Sequence, residues 1–590
     1  MRRLALPAAL LLAASAAAGV STAAAEAPYT VQTLHFGVTV GPDDATECRI
    51  IGDLYLPADA TPNAPVPAIL TTNGFGGSKE SQAPIGHSFA QRGYAVLAYS
   101  GLGFGGSTCK ITLDHPDFDG KAASQLVDYL AGDDGIAHLD AGLTEPAPTL
   151  DVIALDGPGD PRVGTLGGSY GGGFQFAVAS IDPRIDALAP LITWNDLSYS
   201  LGPNGTDAST GVSSVAPGAV KLIWGLAFSG LGMASDLINQ QIPPDLLPCP
   251  NFADFVCPAL VTAGATGYLQ PEHVAELRAA SVSSYLDRIN APVLLIQGQH
   301  DTLFNLNESV ATYEALRARG VETKLIWQST GHSGGAVPGE LDFANPEAGY
   351  VSGRILAWFE HHLKGRAVDT GPPFSFFRDW VDYDGNARPA YGISGKYPAG
   401  SERVWRLSGD GRLVTGSAPT LWGTQSLLTP AAGLPTSIDE ADVLGSYTGA
   451  PTLTLGDLPG TFAQWTSAAL TAPIDVVGIP TARLRVIAPG AALTQGLGPS
   501  GQLVLFVKLV DVAPDGSARL IKGLEAPVRI PDVTKPFDVA LPGIVHRFDA
   551  GHRLRLVVAG GSLNYRGGLT PVAVTIAGGD GQQLTLPVVR

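Results

Sequence analysis

The chain is poor in cysteine, methionine and positive charge. Four cysteines in 590 residues are too few for a disulfide-built scaffold, and no histidine stands at finger-like spacing from them, which argues against a structural zinc site. With 36 basic against 54 acidic side chains and a formal charge of −18, the surface repels nucleic acid phosphates and anionic lipid. No apolar run approaches the ~20 residues needed to cross a bilayer. No internal repeat, low-complexity linker or cofactor motif stands out. These absences exclude a nucleic-acid binder and a membrane-embedded protein, and leave a folded chain long enough for two or three domains.

What is present begins at the N-terminus. MRRLALPAALLLAASAAAGVSTAAA carries two arginines, an apolar stretch of about nine residues and a tail of small residues, which predicts a secretory signal peptide over 1–25 cleaved near Ala25. Removing Arg2 and Arg3 takes the formal charge from −18 to −20. In an exported chain the cysteines are expected as two disulfides. Cys249 and Cys257, eight apart in CPNFADFVC, form a natural local pair, which leaves Cys48 with Cys109.

From Tyr29 to about Trp194, β-type runs such as VPAILTTNG, YAVLAYSG and RVGTLGG alternate with helix-compatible stretches such as KAASQLVDYLAG. That alternation predicts a parallel sheet with helices on both faces. Between about 195 and 288 the strand pattern stops, and AVKLIWGLAF and PEHVAELRAASVSSYL read as helical pieces of an insertion covering the sheet edge. The alternation resumes with APVLLIQGQHD, SVATYEALRARG, TKLIWQS and GRILAWFEHHLKG, which completes a unit expected over 28–371. From 372 to 590, short strands recur between Gly, Pro and Asp turns with hardly a helical period, as a jelly-roll β-sandwich would.

The pattern G-x-S-x-G occurs twice, around Ser169 and around Ser333, where chance supplies roughly half an occurrence in so glycine-rich a chain. Context separates the two. A nucleophile elbow needs a strand before the serine and a helix after it; RVGTLGG and FQFAVAS supply both for Ser169. Ser333 runs instead into GGAVPGELDFANP, which opposes a helix, so GHSGG is expected to be a loop presenting His332. A serine hydroxyl needs a histidine to take its proton and a carboxylate to orient that histidine. Asp301 ends the strand PVLLIQGQHD and His332 ends the next, both at carboxyl ends where α/β sheets build their sites, in the chain order Ser, Asp, His. The other histidines lie in a helical pattern (His361, His362), point away from the strand end (His300), precede the acid (His35, His87, His115, His138, His273) or fall in the β-rich part (His546, His552). The oxyanion is expected to meet the backbone N–H of Tyr170 and a second amide from NGFGGSK, with Phe75 as that donor.

DPRVGTLGGSYGGGFQFAVASIDPRIDALAP, together with TTNGFGGSK, QGQHD and GHSGG, resembles the X-prolyl dipeptidyl peptidase and cocaine esterase family of serine hydrolases. FAQWTSAAL, VKLVDVAPDGSARLI and HRFDAGHRLRL resemble that family's C-terminal part. The resemblance implies an α/β-hydrolase domain, a helical cap and a jelly-roll that is not itself catalytic, and it supports Ser169, Asp301 and His332 as nucleophile, acid and base. Several members place a tyrosine in the early loop and use its hydroxyl in the oxyanion hole; here Phe75 stands at that position, so a backbone donor must serve.

Such a site cleaves esters or amides, and its pocket sets the substrate. Trp194, Asn195 and Asp196 follow an apolar strand and are expected to face the catalytic edge, with Asp196 a candidate to hold a substrate ammonium. Trp224, Phe228 and Tyr268 are candidates for an apolar wall. The expected partner is a small ester or peptide. The rival enzymes are a lipase or polyester hydrolase, and the rival of another class is an inactive secreted binding protein. Cofactor and metal are expected to be absent; oligomeric state has no signature in the sequence.

Overall fold

A computed structural model describes residues 28–133, 135–206, 212, 216–238, 249–438, 456–579 and 581–589, with side chains of 233–238 excluded. The expected signal peptide lies outside the described residues. One sheet of eleven strands organises the first two thirds of the chain. Its members are β1 (Tyr29–Val40), β2 (Thr46–Pro57), β3 (Ala68–Thr72), β4 (Ala95–Tyr99) and β5 (Ala137–His138). After a small outlying hairpin, β6 (Leu155–Gly157) and β7 (Asp160–Pro161), come β8 (Val163–Gly168), β9 (Ile185–Leu191), β10 (Val293–His300), β11 (Thr323–Thr330), β12 (Phe374–Phe377) and β13 (Tyr391–Ser394).

The spatial order is β13-β12-β11-β10-β9-β8-β3-β4-β2-β1-β5. From β4 to β12 every neighbouring pair is parallel. These strands are continuous apolar runs because both faces are covered: every residue of AILTT and of AVLAY is buried. The sheet is nevertheless mixed rather than wholly parallel. β1 and β2 pair antiparallel along twelve residues, since residues 41–45 are too few for the crossover that a parallel pair requires. At the other edge, β12 pairs parallel with β11 and β13 closes antiparallel on β12. The first sheet therefore runs past the expected boundary at 371. The sequence change there follows the last long helix, Tyr350–His362, whereas two more short strands still belong to the first sheet.

The insertion between β9 and β10 holds helices Leu197–Leu201, Leu222–Ile238, Val256–Thr266 and Pro271–Ala279. Both expected disulfides are formed. Cys48 on β2 joins Cys109, and Cys249 joins Cys257 at the mouth of helix Val256–Thr266.

The C-terminal part is β-rich, with a second eleven-stranded sheet and a three-stranded one around its own apolar core, including Trp405, Trp465, Leu505 and Leu556. It is tied to the insertion by the buried Arg529. Its guanidinium donates to the carbonyls of Gly218 (2.9 Å) and Gly267 (3.1 Å), and burial lowers its pKa to about 10. Asn307, at the start of the helix after β10, donates to Leu541 (3.0 Å) and accepts from the Gly543 amide (2.7 Å).

Candidate active site

Ser169 sits between β8 and the helix Tyr170–Ala179 with φ 58° and ψ −118°, a backbone conformation that non-glycine residues seldom adopt and that persists only where surroundings impose it. The flanking glycines show what imposes it. A Cβ on Gly171 would lie 2.4 Å from the Thr72 carbonyl oxygen, and one on Gly167 would lie 2.4 Å from the Gly171 carbonyl oxygen. Only glycine lets the turn close this tightly against β3.

Asp301 follows β10 and His332 follows β11, and the parallel pairing of these strands brings their ends side by side. Asp301 Oδ2 lies 2.7 Å from His332 Nδ1, and His332 Nε2 lies 2.8 Å from Ser169 Oγ. The other carboxylate oxygen, Oδ1, accepts the amides of Leu303 (3.0 Å) and Phe304 (2.7 Å). The Asp301 carboxylate is thereby fixed on both sides, and Nδ1 is the imidazole nitrogen that must carry a proton toward it. Nε2 is left free to accept the serine proton. Ser333, the second candidate by motif, is instead a brace: its Oγ accepts the Thr302 amide at 3.1 Å and lies 2.6 Å from Thr302 Oγ1, tying the His332 loop to the Asp301 loop.

Tyr170 opens its helix, so its N–H is among the four without an intrahelical acceptor, at the end where the helix dipole favours negative charge. The loop after β3 passes close by, with a Cβ position on Gly74 only 3.9 Å from Ser169 Cβ. Asn73 holds that loop: its Oδ1 accepts from the Gly101 amide at 3.0 Å and its Nδ2 donates to the Gly74 carbonyl at 2.9 Å. Phe75 turns its ring into an aromatic cluster with Phe104, Tyr170, Phe228 and Phe252. Beneath it the Tyr170 hydroxyl accepts the Asp114 amide at 3.1 Å and faces Asp119 at 3.4 Å. Burial raises the Asp119 pKa to about 7 and that of Asp114 well above the carboxylate range, the neighbouring Asp119 charge adding to it.

Trp194 lines a small apolar pocket beside Ser169, and Trp224 and Phe228 form walls as expected of an apolar site. Asn195 and Asp196 face elsewhere. Asn195 donates to Thr312 Oγ1 at 3.0 Å. The buried Asp196 caps helix Leu197–Leu201, accepting from the Ser198 amide at 2.9 Å and the Ser198 hydroxyl at 2.7 Å, with Arg278 Nε 3.4 Å away. It reaches no cavity beside Ser169, because a β-to-helix junction spends this carboxylate on the helix N-terminus. Tyr268 lies instead under the Arg529 guanidinium, 5.2 Å from its ring. Phe304, not singled out by sequence, packs edge-on to His332 with ring centroids 5.0 Å apart; its place three residues after Asp301 was the available signal. Leu563 and Asn564 of the β-rich part line the cleft as well, and no local pattern marks them.

A strand-turn-helix serine, an imidazole within hydrogen-bond distance of it and a buried carboxylate behind the imidazole, all at strand ends of a mixed sheet, define an α/β-hydrolase of the serine-hydrolase class. Residues 46–238 match the family described as X-Pro dipeptidyl-peptidase (S15 family), and 430–567 match its C-terminal non-catalytic domain. Residues 256–366 match the prolyl oligopeptidase family. The chain is a serine hydrolase, similar over these segments to the X-Pro dipeptidyl-peptidase (S15) family and to that family's C-terminal domain.

Solved structures share the fold over nearly the whole length. An aminopeptidase from a marine sediment Thaumarchaeota archaeon is 13% identical with a TM-score of 0.63, covering 98% of this chain and 99% of its own. An α-amino acid ester hydrolase is 16% identical with a TM-score of 0.62, covering 98% and 100%. A CocE/NonD family hydrolase from Staphylococcus aureus is 12% identical with a TM-score of 0.61, covering 94% of each chain. No curated protein matches by sequence.

Proposed function

We propose that the chain is an exported esterase that works through an acyl-enzyme on Ser169, with His332 as base and Asp301 as its orienting acid. The observation that carries this is the run of 2.7 and 2.8 Å distances from Asp301 through His332 to Ser169, centred on a serine held at positive φ. His332 Nε2 takes the Oγ proton as Oγ bonds to the substrate carbonyl carbon, and the carbonyl electrons move to oxygen. The Tyr170 and Phe75 amides meet that oxyanion. As the tetrahedral centre collapses, the bond to the alcohol breaks and His332 returns the proton to the leaving oxygen; water, activated the same way, then releases the acid and frees Ser169. Asp301 stays ionised and holds Nδ1–H, which stabilises the imidazolium formed between these transfers.

In this account residues 28–371, extended by β12 and β13, form the catalytic unit, the insertion at about 195–288 is its cap, and 372–590 braces the cap through Arg529. Export is supported by the two disulfides and by the leader-like N-terminal composition. Among the described residues no helix is long and apolar enough to cross a membrane.

The X-Pro peptidase reading needs a group to hold a substrate ammonium, and Asp196, the candidate for that role, is engaged as a helix cap. The lipase or polyester-hydrolase reading is favoured by one observation, a cleft of about 830 Å³ walled by Trp224, Leu231, Leu341 and Phe343. Rates on 4-nitrophenyl acetate, 4-nitrophenyl dodecanoate and X-Pro anilides, with Ser169→Ala as blank, separate these. Ester turnover that vanishes in the variant is expected. Cleavage of X-Pro anilides alone would replace the esterase by a peptidase, and no Ser169-dependent hydrolysis of any substrate would favour the inactive binding protein.

A further inference from the structure

Ser169 stands between two cavities that differ in size and in their relation to His332. One is a small apolar pocket of about 130 Å³, and the other is the larger cleft of about 830 Å³. Ser169, Phe75 and Phe228 border both, whereas His332 borders the cleft alone. In acyl transfer the same imidazole that deprotonates the serine must protonate the leaving group. The leaving alcohol therefore belongs on the His332 side, in the cleft, and the acyl group in the smaller pocket.

The wall of that pocket is built from Trp194, Leu197, Phe228, Leu303, Phe304 and further apolar side chains. No carboxylate lines it among the described residues. Of the acids nearest to it, Asp196 and Glu308 are committed elsewhere, and Asp114 is buried behind the wall with no hydrogen-bond partner on either oxygen. Asp196 caps a helix; Glu308 accepts the Asn195 and Asp196 amides at 2.8 and 3.1 Å; Asp114 is shut away against the backbone of Gly173 and the Trp194 ring, both oxygens closed to solvent. Among the described residues, the only charged one in the wall is a cation, Lys221, whose buried Nζ donates to the Leu303 carbonyl at 2.6 Å. An ammonium brought here would lose its water, meet no carboxylate in the wall and face a like charge. An apolar group gains instead, and an apolar cavity of about 150 Å³ is known to hold a benzene molecule.

We propose that the small apolar pocket selects an uncharged, apolar acyl group no larger than about six carbons and excludes substrates with a free amino group on the acyl side. The proposal rests on Ser169 as nucleophile and His332 as the proton carrier. It makes Leu303 and Phe304, the two residues that lock the Asp301 carboxylate through their amides, the determinants of acyl specificity through their side chains.

The test uses the whole mature chain. Initial rates are taken by titration of released acid at pH 6, where an α-amino ester is cationic, on methyl pentanoate and methyl 2-aminopentanoate. In parallel, 4-nitrophenyl acetate, butyrate, hexanoate and dodecanoate are compared. Burial of each methylene is worth about fourfold in kcat/KM, so a rise of roughly 15-fold from acetate to butyrate is expected, a maximum by hexanoate and a fall at dodecanoate. Methyl pentanoate should exceed its 2-amino analogue by about 100-fold or more. Ala263→Phe, which fills the pocket from helix Val256–Thr266, should lower the hexanoate-to-acetate ratio at least about tenfold, with the Tm reporting that the variant is folded. Leu303→Asp should shift the ratio toward the amino ester by a similar factor. Equal rates on the amino and parent esters, or a hexanoate-to-acetate ratio untouched by Ala263→Phe, would overturn the pocket assignment while Ser169-dependent acetate hydrolysis left the esterase reading standing. Acetate hydrolysis that survives Ser169→Ala would overturn both.

Discussion

Replacing Asp301 by Asn changes one atom and should nearly abolish turnover, for a reason set by two backbone amides. In the folded protein Oδ1 of Asp301 accepts from Leu303 N–H at 3.0 Å and from Phe304 N–H at 2.7 Å. These donors require an oxygen, so the asparagine amide is held with its carbonyl toward them and its NH2 toward His332 Nδ1, at the 2.7 Å position of the former Oδ2. The NH2 is a donor only. His332 must then accept at Nδ1, which places the ring proton on Nε2, facing Ser169 Oγ at 2.8 Å, where it cannot take the serine proton. The barrier rises by the loss of general-base catalysis and of imidazolium stabilisation together, about 10⁴-fold in kcat or roughly 5.5 kcal/mol. The loop amides remain satisfied, so the Tm should shift by only a few degrees. Asp301→Ala differs: it strands both amides in a buried site at about 1–3 kcal/mol each and should lower the Tm clearly. Burst and steady-state kinetics on 4-nitrophenyl acetate test the pair. An Asp301→Asn variant that keeps more than about a tenth of the wild-type kcat would refute the tautomer argument.

Ser333→Ala removes the brace between the Asp301 and His332 loops and leaves the buried Thr302 amide without its acceptor, so stability should drop by about 1–3 kcal/mol while kcat stays within about tenfold; thermal melts and ester rates on the same sample decide it. Asp119 has its carboxyl raised to about 7 by burial, against about 4 in an unfolded chain. The folded state therefore binds the extra proton between these values, its stability falls as pH rises from about 4 to 7, and Asp119→Asn should flatten the fall in Tm over that window; a variant with an unchanged slope would show that Asp119 does not carry it. Loss of the Cys48–Cys109 bridge, 61 residues apart, should cost roughly 4 kcal/mol in urea unfolding against roughly 2.5 for Cys249–Cys257, eight apart. A larger cost for the short loop would mean that the bridges act on local structure rather than on chain entropy.

The strand-turn-helix around Ser169 was legible because glycine spacing and apolar runs are local features, and Asp301 and His332 because parallel strands end on one edge of the sheet. Disulfide pairing was legible for a similar reason: one pair is close in sequence and the remainder follows. Other features depended on contacts between distant segments. The pairing of β1 with β2 hinges on a five-residue connection that alternation alone does not weigh. β12 and β13 read as part of a β-rich tail because a short strand carries no label for the sheet it joins. Asp196 has the residue type of an ammonium ligand, yet its position before Leu197–Leu201 makes it a cap. Arg529, 325 residues from the Asn204 that contacts its backbone, braces the cap through carbonyls, and carbonyls leave no trace in a sequence.

The central claim is that Ser169 is the nucleophile and His332 its base. A fluorophosphonate probe tests it directly, since the serine oxygen must displace fluoride from phosphorus to leave a stable adduct whose site can be mapped by peptide mass spectrometry. The account predicts an adduct on the peptide containing Ser169, absent in Ser169→Ala, slowed by orders of magnitude in His332→Ala and retained in Ser333→Ala. An adduct on Ser333, or labelling that survives Ser169→Ala, would contradict it.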